Sequence, residues 1–187
     1  STFKPIVWAA ALDRGAFSTD EMFDCTSAGG WVSPKGRRLR DVRGHGRLAA
    51  EMILVKSSNI GMAQIGLRLG PRSLYQAVRS FGLGRSTRTR LPGESSGIVN
   101  PRSQWSHYSV TSVPMGQEIA VTVVQLARAF SIIANGGLMV VPTIRLSPEL
   151  PPELRPEVIS IHEPVLAVKT ANQTLDVLRR VVLEGTG

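Results

Sequence analysis

The sequence predicts a mainly α-helical chain with few strands. Six segments carry apolar residues at helical spacing, and each is bounded by glycine, proline or a capping residue. Strand candidates are confined to the glycine-rich stretch 16–46 and to a short apolar piece at 140–142. With 187 residues the chain is long enough for one domain with a sizeable core.

The helices are predicted from apolar periodicity together with signals at their ends. Pro5 is tolerated in the first turn of the first helix, and Gly15 suits its C-terminal cap. Gly70-Pro71 ends the third helix and Gly82 ends the fourth. The predicted segments are 4–14, 47–56, 60–69, 72–81, 120–134 and 165–184. The last helix is expected to point four side chains inward: Leu175, Leu178, Val181 and Val182.

The segments between these helices are predicted to be turns and loops. Within 16–46, residues 23–25 and 31–32 are expected to form a hairpin. Residues 82–118 are rich in Gly, Ser, Pro and Arg and are predicted to be mostly loop. The segment 148–164 holds five prolines and is predicted to be a surface connection.

Composition excludes several classes of function. The net charge is +8, from 18 Arg and 4 Lys against 14 acidic residues, which invites a nucleic-acid interpretation. The Arg clusters at 37–47 and 85–90 are not interleaved with aromatic residues, so we expect a solvated basic face and no nucleic-acid partner. Cys25 is the single cysteine, which excludes an internal disulfide framework, and the three histidines lack ligand spacing. We therefore predict no metal and no cofactor.

Two short motifs carry candidate chemistry. Ser1 lies three residues before Lys4, so the two side chains share a helix face and can form a nucleophile–base pair if burial keeps the lysine partly neutral. Ser57-Ser58-Asn59 is the chain's single Ser-x-Asn, and Ser1 to Lys4 is its single Ser-x-x-Lys. Both motifs stand at predicted helix starts, where capping explains them equally well.

Taken in this order, the two motifs resemble those of the penicillin-recognising serine acyl-transferases. Further segments resemble class B penicillin-binding proteins, so that the likeness covers nearly the whole chain. These segments are Lys56–Gly61, Phe81–Gly84, Pro92–Gly97, Gly116-Gln117, Val124–Arg128, Ala134–Gly137 and Val181–Gly187. The resemblance implies the α/β fold shared with serine β-lactamases, in which helices pack on a five-stranded sheet.

The resemblance also implies a reaction and roles for four residues. Ser1 would attack the penultimate D-Ala carbonyl of a peptidoglycan stem peptide, and Lys4 would accept its proton. Ser57 would relay a proton to the leaving nitrogen, and Asn59 would orient Lys4 and bind the substrate amide. β-Lactams would acylate the same serine. The parent protein would be anchored by an N-terminal segment at the extracytoplasmic face of the membrane, with a glycan polymerase of the division or elongation machinery as partner.

One motif of the family is not found. The third motif is Lys-Thr-Gly or Lys-Ser-Gly on a strand, whereas Lys169-Thr170-Ala171 replaces the glycine and opens a predicted helix. We therefore expect residues 1–187 to be a partial transpeptidase domain, the helical lobe from the first motif to just before the third. Such a piece lacks most of the sheet, and we expect it to expose an apolar face and to be inactive.

Four alternatives remain open from the sequence. A serine β-lactamase shares the first motif, but the deacylating Glu before a Leu-Asn pair is not evident. A non-enzymatic β-lactam sensor domain carries the same motifs. An N-terminal-nucleophile hydrolase would use the Ser1 amine as base, although its fold requires strands directly after the nucleophile. A purely structural helical module would use both motifs as caps.

Overall fold

The computed structural model describes residues 2–89, 92–142 and 164–185, and within these ranges the chain is mainly helical. The helices are α1 (Lys4–Asp13), α2 (Ala50–Val55), α3 (Asn59–Ser80), α4 (Ser109–Ser112), α5 (Val123–Ala134) and α6 (Val168–Glu184). Short 3-10 turns lie at Arg102–Gln104 and Val113–Met115. The strands are β1 (Met22–Asp24), β2 (Gly30–Val32), β3 (Arg38–Arg40), β4 (Arg47–Ala49), β5 (Ile98–Val99) and β6 (Ile119–Ala120).

Helix α1 forms the centre of the core. Residues 6–11 are 0% exposed, because α3, α6 and the turn Val113–Met115 pack around them. Trp8 is anchored by its indole N–H, which donates to the Ala50 carbonyl at 2.9 Å. The apolar face expected to be exposed is therefore not on α1, since elements of the same chain cover this helix.

Helix α6 packs against α1, α2 and α5. Leu175, Leu178 and Val181 lie against the core as predicted. Val182 was predicted to point inward, and this is wrong, because its side chain is 76% exposed. Val168 and Leu183 are exposed as well, so the uncovered apolar side chains of this helix lie near its two ends.

The strands pair differently from the prediction. The expected hairpin between 23–25 and 31–32 is wrong: β1 pairs with β4 and β2 pairs with β3, both antiparallel. The β2–β3 hairpin is closed by Ser33-Pro34-Lys35-Gly36, in which the Gly36 N–H donates to the Ser33 carbonyl at 2.8 Å. Proline at the second position of such a turn sets the required φ.

Pairing with β1 also corrects the predicted helix 47–56. Its first three residues form β4, because the flanking Cys25 N–H and Ala50 N–H bond across to the Gly46 and Glu21 carbonyls at 2.8 Å each. Local helix propensity thus yields to a tertiary ladder.

For most of the other predicted helices and loops, the structure changes only the bounds. Gly70, with φ +70°, and Pro71 interrupt α3 as predicted. Helix α5 begins three residues later than expected, because Thr122 and Gln125 form a reciprocal capping box. Residues 82–118 are largely loop but include β5, α4 and both 3-10 turns. Residues 140–142 form no strand, and 148–163 lie outside the described ranges.

Candidate active site

The first motif is described from its second residue onward. Ser1 lies outside the described residues. Lys4 is the first residue of α1 and is 3% exposed, so it meets the condition of burial on which the nucleophile–base interpretation of the first motif depends. The N-cap position of α1 is Phe3, which makes no side-chain capping bond.

The second motif meets Lys4 across the fold. The Lys4 ammonium donates to the Ser57 hydroxyl at 3.1 Å and to the Asn59 Oδ1 at 2.8 Å, and also to the Ser57 carbonyl. These residues are separated from Lys4 by more than fifty positions in the sequence. Three of the four residues predicted for the site are therefore in direct contact.

Ser57 occupies a strained backbone conformation. Helix α2 ends in a Schellman-type turn, with the Ser57 and Ser58 N–H groups donating back to the Leu54 and Ile53 carbonyls. Ser57 stands where glycine is usual and has φ +54°. A non-glycine residue in this region costs about 1 kcal/mol or more, and such outliers concentrate at functional sites. A hydroxyl is thus held facing Lys4 at the expense of backbone strain.

Asn59 has its amide orientation fixed from both sides. Its Nδ2 donates to the Arg40 carbonyl at 3.1 Å, while its Oδ1 accepts from Lys4. A lysine ammonium can only donate, so the carbonyl oxygen of the amide must face it. Asn59 therefore connects Lys4 to the end of β3.

Ser58 performs the capping role that the sequence suggested for the second motif. It is the N-cap of α3, and its hydroxyl accepts from the Gly61 N–H at 2.9 Å. The capping role thus belongs to the middle residue of the motif, which leaves the side chains of Ser57 and Asn59 for Lys4.

Asp41 is the site residue that the sequence reasoning missed. Its carboxylate accepts from the Ser58 hydroxyl at 2.6 Å and from the backbone N–H groups of Asn59 and Ile60. A signal was available: Asp41 is the single acidic residue between Cys25 and Ala50, in a stretch that carries six basic side chains.

Burial and Asp41 shift the pKa of Lys4 in opposite directions. Desolvation lowers the pKa of Lys4 from 10.5 to about 8, and the nearby Asp41 carboxylate opposes this by favouring the ammonium. A pKa of about 8 leaves roughly a quarter of the amine neutral at pH 7.5. Lys4 can therefore act as a general base near neutral pH.

Gly116-Gln117 approaches the beginning of α1. Gly116 has φ +83°, and a Cβ added there would lie 2.9 Å from the Phe3 Cβ. The Gln117 Oε1 accepts from the Arg37 guanidinium at 2.9 Å, and that guanidinium also bonds to the α4 segment through the Thr111 hydroxyl and the Tyr108 carbonyl. This loop is thus tied to the β2–β3 hairpin and lies beside the N-terminal end of α1.

Other residues singled out in the sequence have structural roles. Glu94, within the segment Pro92–Gly97, accepts from the Ser86 hydroxyl at 2.6 Å and from Thr87, and these bonds lower its pKa. Thr170 and Ala171 are buried in the first turn of α6, so Lys169-Thr170-Ala171 is not on a strand. In the described ranges, no cluster of His, Cys, Asp and Glu could hold a metal ion.

A buried lysine bonded to the serine and asparagine of a Ser-x-Asn motif is the arrangement of the penicillin-recognising acyl-transfer class that the sequence resembles. The family model described as penicillin binding protein transpeptidase domain matches residues 1–187. The chain belongs to this family, and its resemblance to the class B members is confirmed.

Individual relatives agree with the family model. The chain is 34% identical to penicillin-binding protein PbpB of Mycolicibacterium smegmatis over 197 residues, covering 100% of this chain and 30% of the relative. It is 30% identical to peptidoglycan D,D-transpeptidase FtsI of Escherichia coli K12 over 138 residues, covering 74% of this chain and 23% of that protein. The chain thus spans less than a third of the length of these relatives.

A solved structure shows the same fold. Penicillin binding protein 3 of Mycobacterium tuberculosis, complexed with aztreonam, superposes with a TM-score of 0.86 at 32% identity, over 100% of this chain and 43% of that chain. The expected fold class, a penicillin-binding-protein fold represented here mainly by its helices, is confirmed.

Proposed function

We propose that this chain carries the nucleophile side of a peptidoglycan D,D-transpeptidase active site. One observation carries the proposal: a buried Lys4, with a pKa of about 8, contacts both Ser57 and Asn59. The relatives' names point to the same reaction, since FtsI of Escherichia coli is a peptidoglycan D,D-transpeptidase.

The proposed reaction begins at Ser1. Its Oγ attacks the carbonyl of the penultimate D-Ala of a stem peptide while neutral Lys4 accepts the hydroxyl proton. The Ser57 hydroxyl, bonded to Lys4, passes a proton to the departing D-Ala nitrogen, so the C–N bond breaks and an acyl-serine ester remains. An amine from a second stem peptide then attacks the ester carbonyl, the ester C–O bond breaks, and the excess proton of the amine passes through Lys4 to the departing Ser1 Oγ.

Asn59 has two tasks in this scheme. Its Oδ1 holds the Lys4 ammonium in place, and its amide also meets the substrate's peptide bond. β-Lactams would enter the same site and acylate Ser1, in keeping with the relative solved with aztreonam.

We further propose that residues 1–187 supply the helical part of a longer transpeptidase. The length of the relatives supports this, since the chain covers 30% of PbpB. In this proposal a strand bearing the third motif would supply one of the backbone N–H donors of the oxyanion hole, which stabilises the negative charge on the attacked carbonyl oxygen. Losing one donor of an oxyanion hole costs about 10²–10³ in rate. The 187 residues alone would lack this donor and also the strand on which the substrate docks, so we propose that they are inactive.

The proposed setting is the extracytoplasmic face of the membrane, with a glycan polymerase of the wall-synthesis machinery as partner. Family resemblance is the support for both. No helix among the described residues is long and apolar enough to cross a bilayer.

The test is labelled penicillin applied to the longer protein that contains this chain. Ser1→Ala should abolish labelling and Lys4→Met should slow it by about 10² or more, whereas the exposed control variants Ser18→Ala and Lys35→Met should label like wild type. Equal labelling of wild type and Ser1→Ala would remove Ser1 as nucleophile.

A second measurement separates the related activities. Release of D-Ala coupled to transfer onto an added amine would support a transpeptidase. Rapid release of hydrolysed penicillin would identify a β-lactamase, and a stable acyl-enzyme without D-Ala release or transfer would identify a sensor.

A further inference from the structure

Arg37 lies between the turn of the β2–β3 hairpin and strand β3. Its backbone is fixed by Ser33, because the Arg37 N–H donates to the Ser33 hydroxyl at 3.0 Å and the Arg37 carbonyl accepts from the Ser33 N–H at 2.8 Å. Ser33 is itself buried. The side chain of Arg37 therefore extends from a rigid point of the hairpin.

The Arg37 guanidinium binds the segment 108–118 at both of its ends. One nitrogen donates to the Tyr108 carbonyl at 3.3 Å and to the hydroxyls of Thr111 and Ser112. The other nitrogen donates to the Gln117 Oε1 at 2.9 Å. Thr111 and Ser112 are each 2% exposed, so the guanidinium reaches buried oxygens of this segment.

These bonds depend on the shape of the guanidinium. All four acceptors are neutral, and Arg37 forms no ion pair within the part of the chain that the structure describes. A guanidinium presents several N–H donors in a fixed planar fork, whereas a lysine ammonium is a point charge on a flexible stem. Arg37 is therefore suited to fixing the relative positions of separate acceptors.

The far end of the segment turns against the beginning of α1. A Cβ added at Gly116 would lie 2.9 Å from the Phe3 Cβ, and Phe3 is the N-cap residue of α1, directly before Lys4. Gly116 has φ +83° and Glu118 has φ +63°. A non-glycine residue with such a φ persists only where surrounding contacts hold it, and Arg37 binds Gln117 between these two residues.

The hairpin also contacts the other side of the site. The Arg40 carbonyl, at the end of β3, accepts from the Asn59 side-chain amide at 3.1 Å, and the Asn59 Oδ1 accepts from Lys4. The same hairpin is thus bonded through Arg37 to the segment that packs on Phe3 and through Arg40 to the second motif.

We infer that Arg37 is a positioning residue for acyl transfer: its guanidinium holds the segment 108–118 against the beginning of α1 and so fixes the first motif relative to Asn59. This inference rests on the proposed function. Arg37 acts through Gln117 and the α4 segment, and it has no part in the proton transfers of the proposed scheme. A misplacement of about 1 Å in reacting groups can cost about 10²-fold in rate.

The experiment compares Arg37→Met with Arg38→Met in the longer protein. Arg38 is a matched control, because it is the next residue, is exposed, and has no side-chain bond among the described residues. Acylation by a fluorescent penicillin is followed at increasing concentrations, which separates the dissociation constant from the acylation rate constant per labelled site. For Arg37→Met we expect this rate constant to fall about tenfold or more, with Arg38→Met like wild type.

Counting only sites that become labelled separates positioning from folding. A purely structural defect lowers the number of labelled sites and leaves the rate constant of each site unchanged. Arg37→Lys keeps the charge without the fork, so we expect a rate constant between those of Arg37→Met and wild type.

A wild-type rate constant in Arg37→Met, or in Arg37→Lys if only that variant folds, would overturn the inference. An equal loss in Arg38→Met would overturn it as well, because the effect would then come from charge and not from the bonds of Arg37. Failure of wild type itself to label at Ser1 would instead overturn the proposed function.

Discussion

The depressed pKa of Lys4 makes folding stability depend on pH in a defined direction. Below pH 8 the folded chain must bury a lysine ammonium, and a pKa lowered from 10.5 to about 8 corresponds to a cost of about 3 kcal/mol. Between these values the unfolded chain still binds a proton that the folded chain has released. The free energy of unfolding should therefore rise with pH over this window.

The ionisation of Cys25 has the opposite effect on stability, so its contribution must be separated from that of Lys4. Burial raises its thiol pKa above 9.0, so the unfolded chain ionises first and stability falls as pH increases through this range. The thiol contribution is removed by measuring the free energy of unfolding of a variant that lacks only Lys4 and subtracting it, at each pH, from the wild-type value. Lys4→Met is that variant, because methionine is unbranched and fills a similar volume.

The assay is urea unfolding followed by circular dichroism from pH 7 to 11 on wild type and Lys4→Met. The difference between their free energies of unfolding should shift in favour of wild type by about 3 kcal/mol across the range. Lys35→Met, at an exposed lysine, should show no such shift. A wild-type minus Lys4→Met difference that stays constant within about 0.5 kcal/mol would refute the argument.

Three further changes test the packing around the site by urea unfolding. At Ser57, with φ +54°, the Gly variant should be more stable than the Ala variant by about 1 kcal/mol, because both lack the hydroxyl and only Ala retains the strain. Gly116→Ala should cost about 2 kcal/mol or more, since it adds a close contact to a positive φ. Trp8→Phe should cost about 2–3 kcal/mol, through a lost hydrogen bond and a fully buried void.

Two of these changes, those at Ser57 and Gly116, have a comparison within the chain. At Ser131, inside α5, the Ala variant should be more stable than the Gly variant. If the Ala variant were also the more stable one at Ser57, the argument for backbone strain there would be contradicted. Gly15 also has positive φ but no atom within 4 Å of an added Cβ, so Gly15→Ala should cost about 1 kcal/mol. Unfolding of Trp8→Phe at the wild-type urea concentration would contradict the packing argument.

Helices and motifs were predictable because their signals are local. Gly15, Gly70-Pro71 and Gly82 mark ends that the structure keeps. Lys4, Ser57 and Asn59 were identified by spacing and resemblance, and the structure brings these three together.

Strand pairing was not predictable by the same reasoning. The partner of β1 is β4, more than twenty residues away, and the intervening β2–β3 hairpin pairs within itself. Three-residue strands carry too little alternation to specify a partner. Asp41 escaped notice for a related reason: a lone carboxylate among basic residues is a visible signal, but it does not specify the distant hydrogen bonds to the start of α3.

The pKa of Lys4 is set by two opposing influences, burial and the charge of Asp41. Burial alone would drive Lys4 towards the neutral amine, which accepts a proton but then holds it weakly. A carboxylate close by favours the ammonium that would form if Lys4 accepted the proton of Ser1, as proposed. Asp41 supplies that charge while its oxygens bind the start of α3. One carboxylate thus contacts the Ser57–Asn59 turn and also opposes the lowering of the Lys4 pKa by burial.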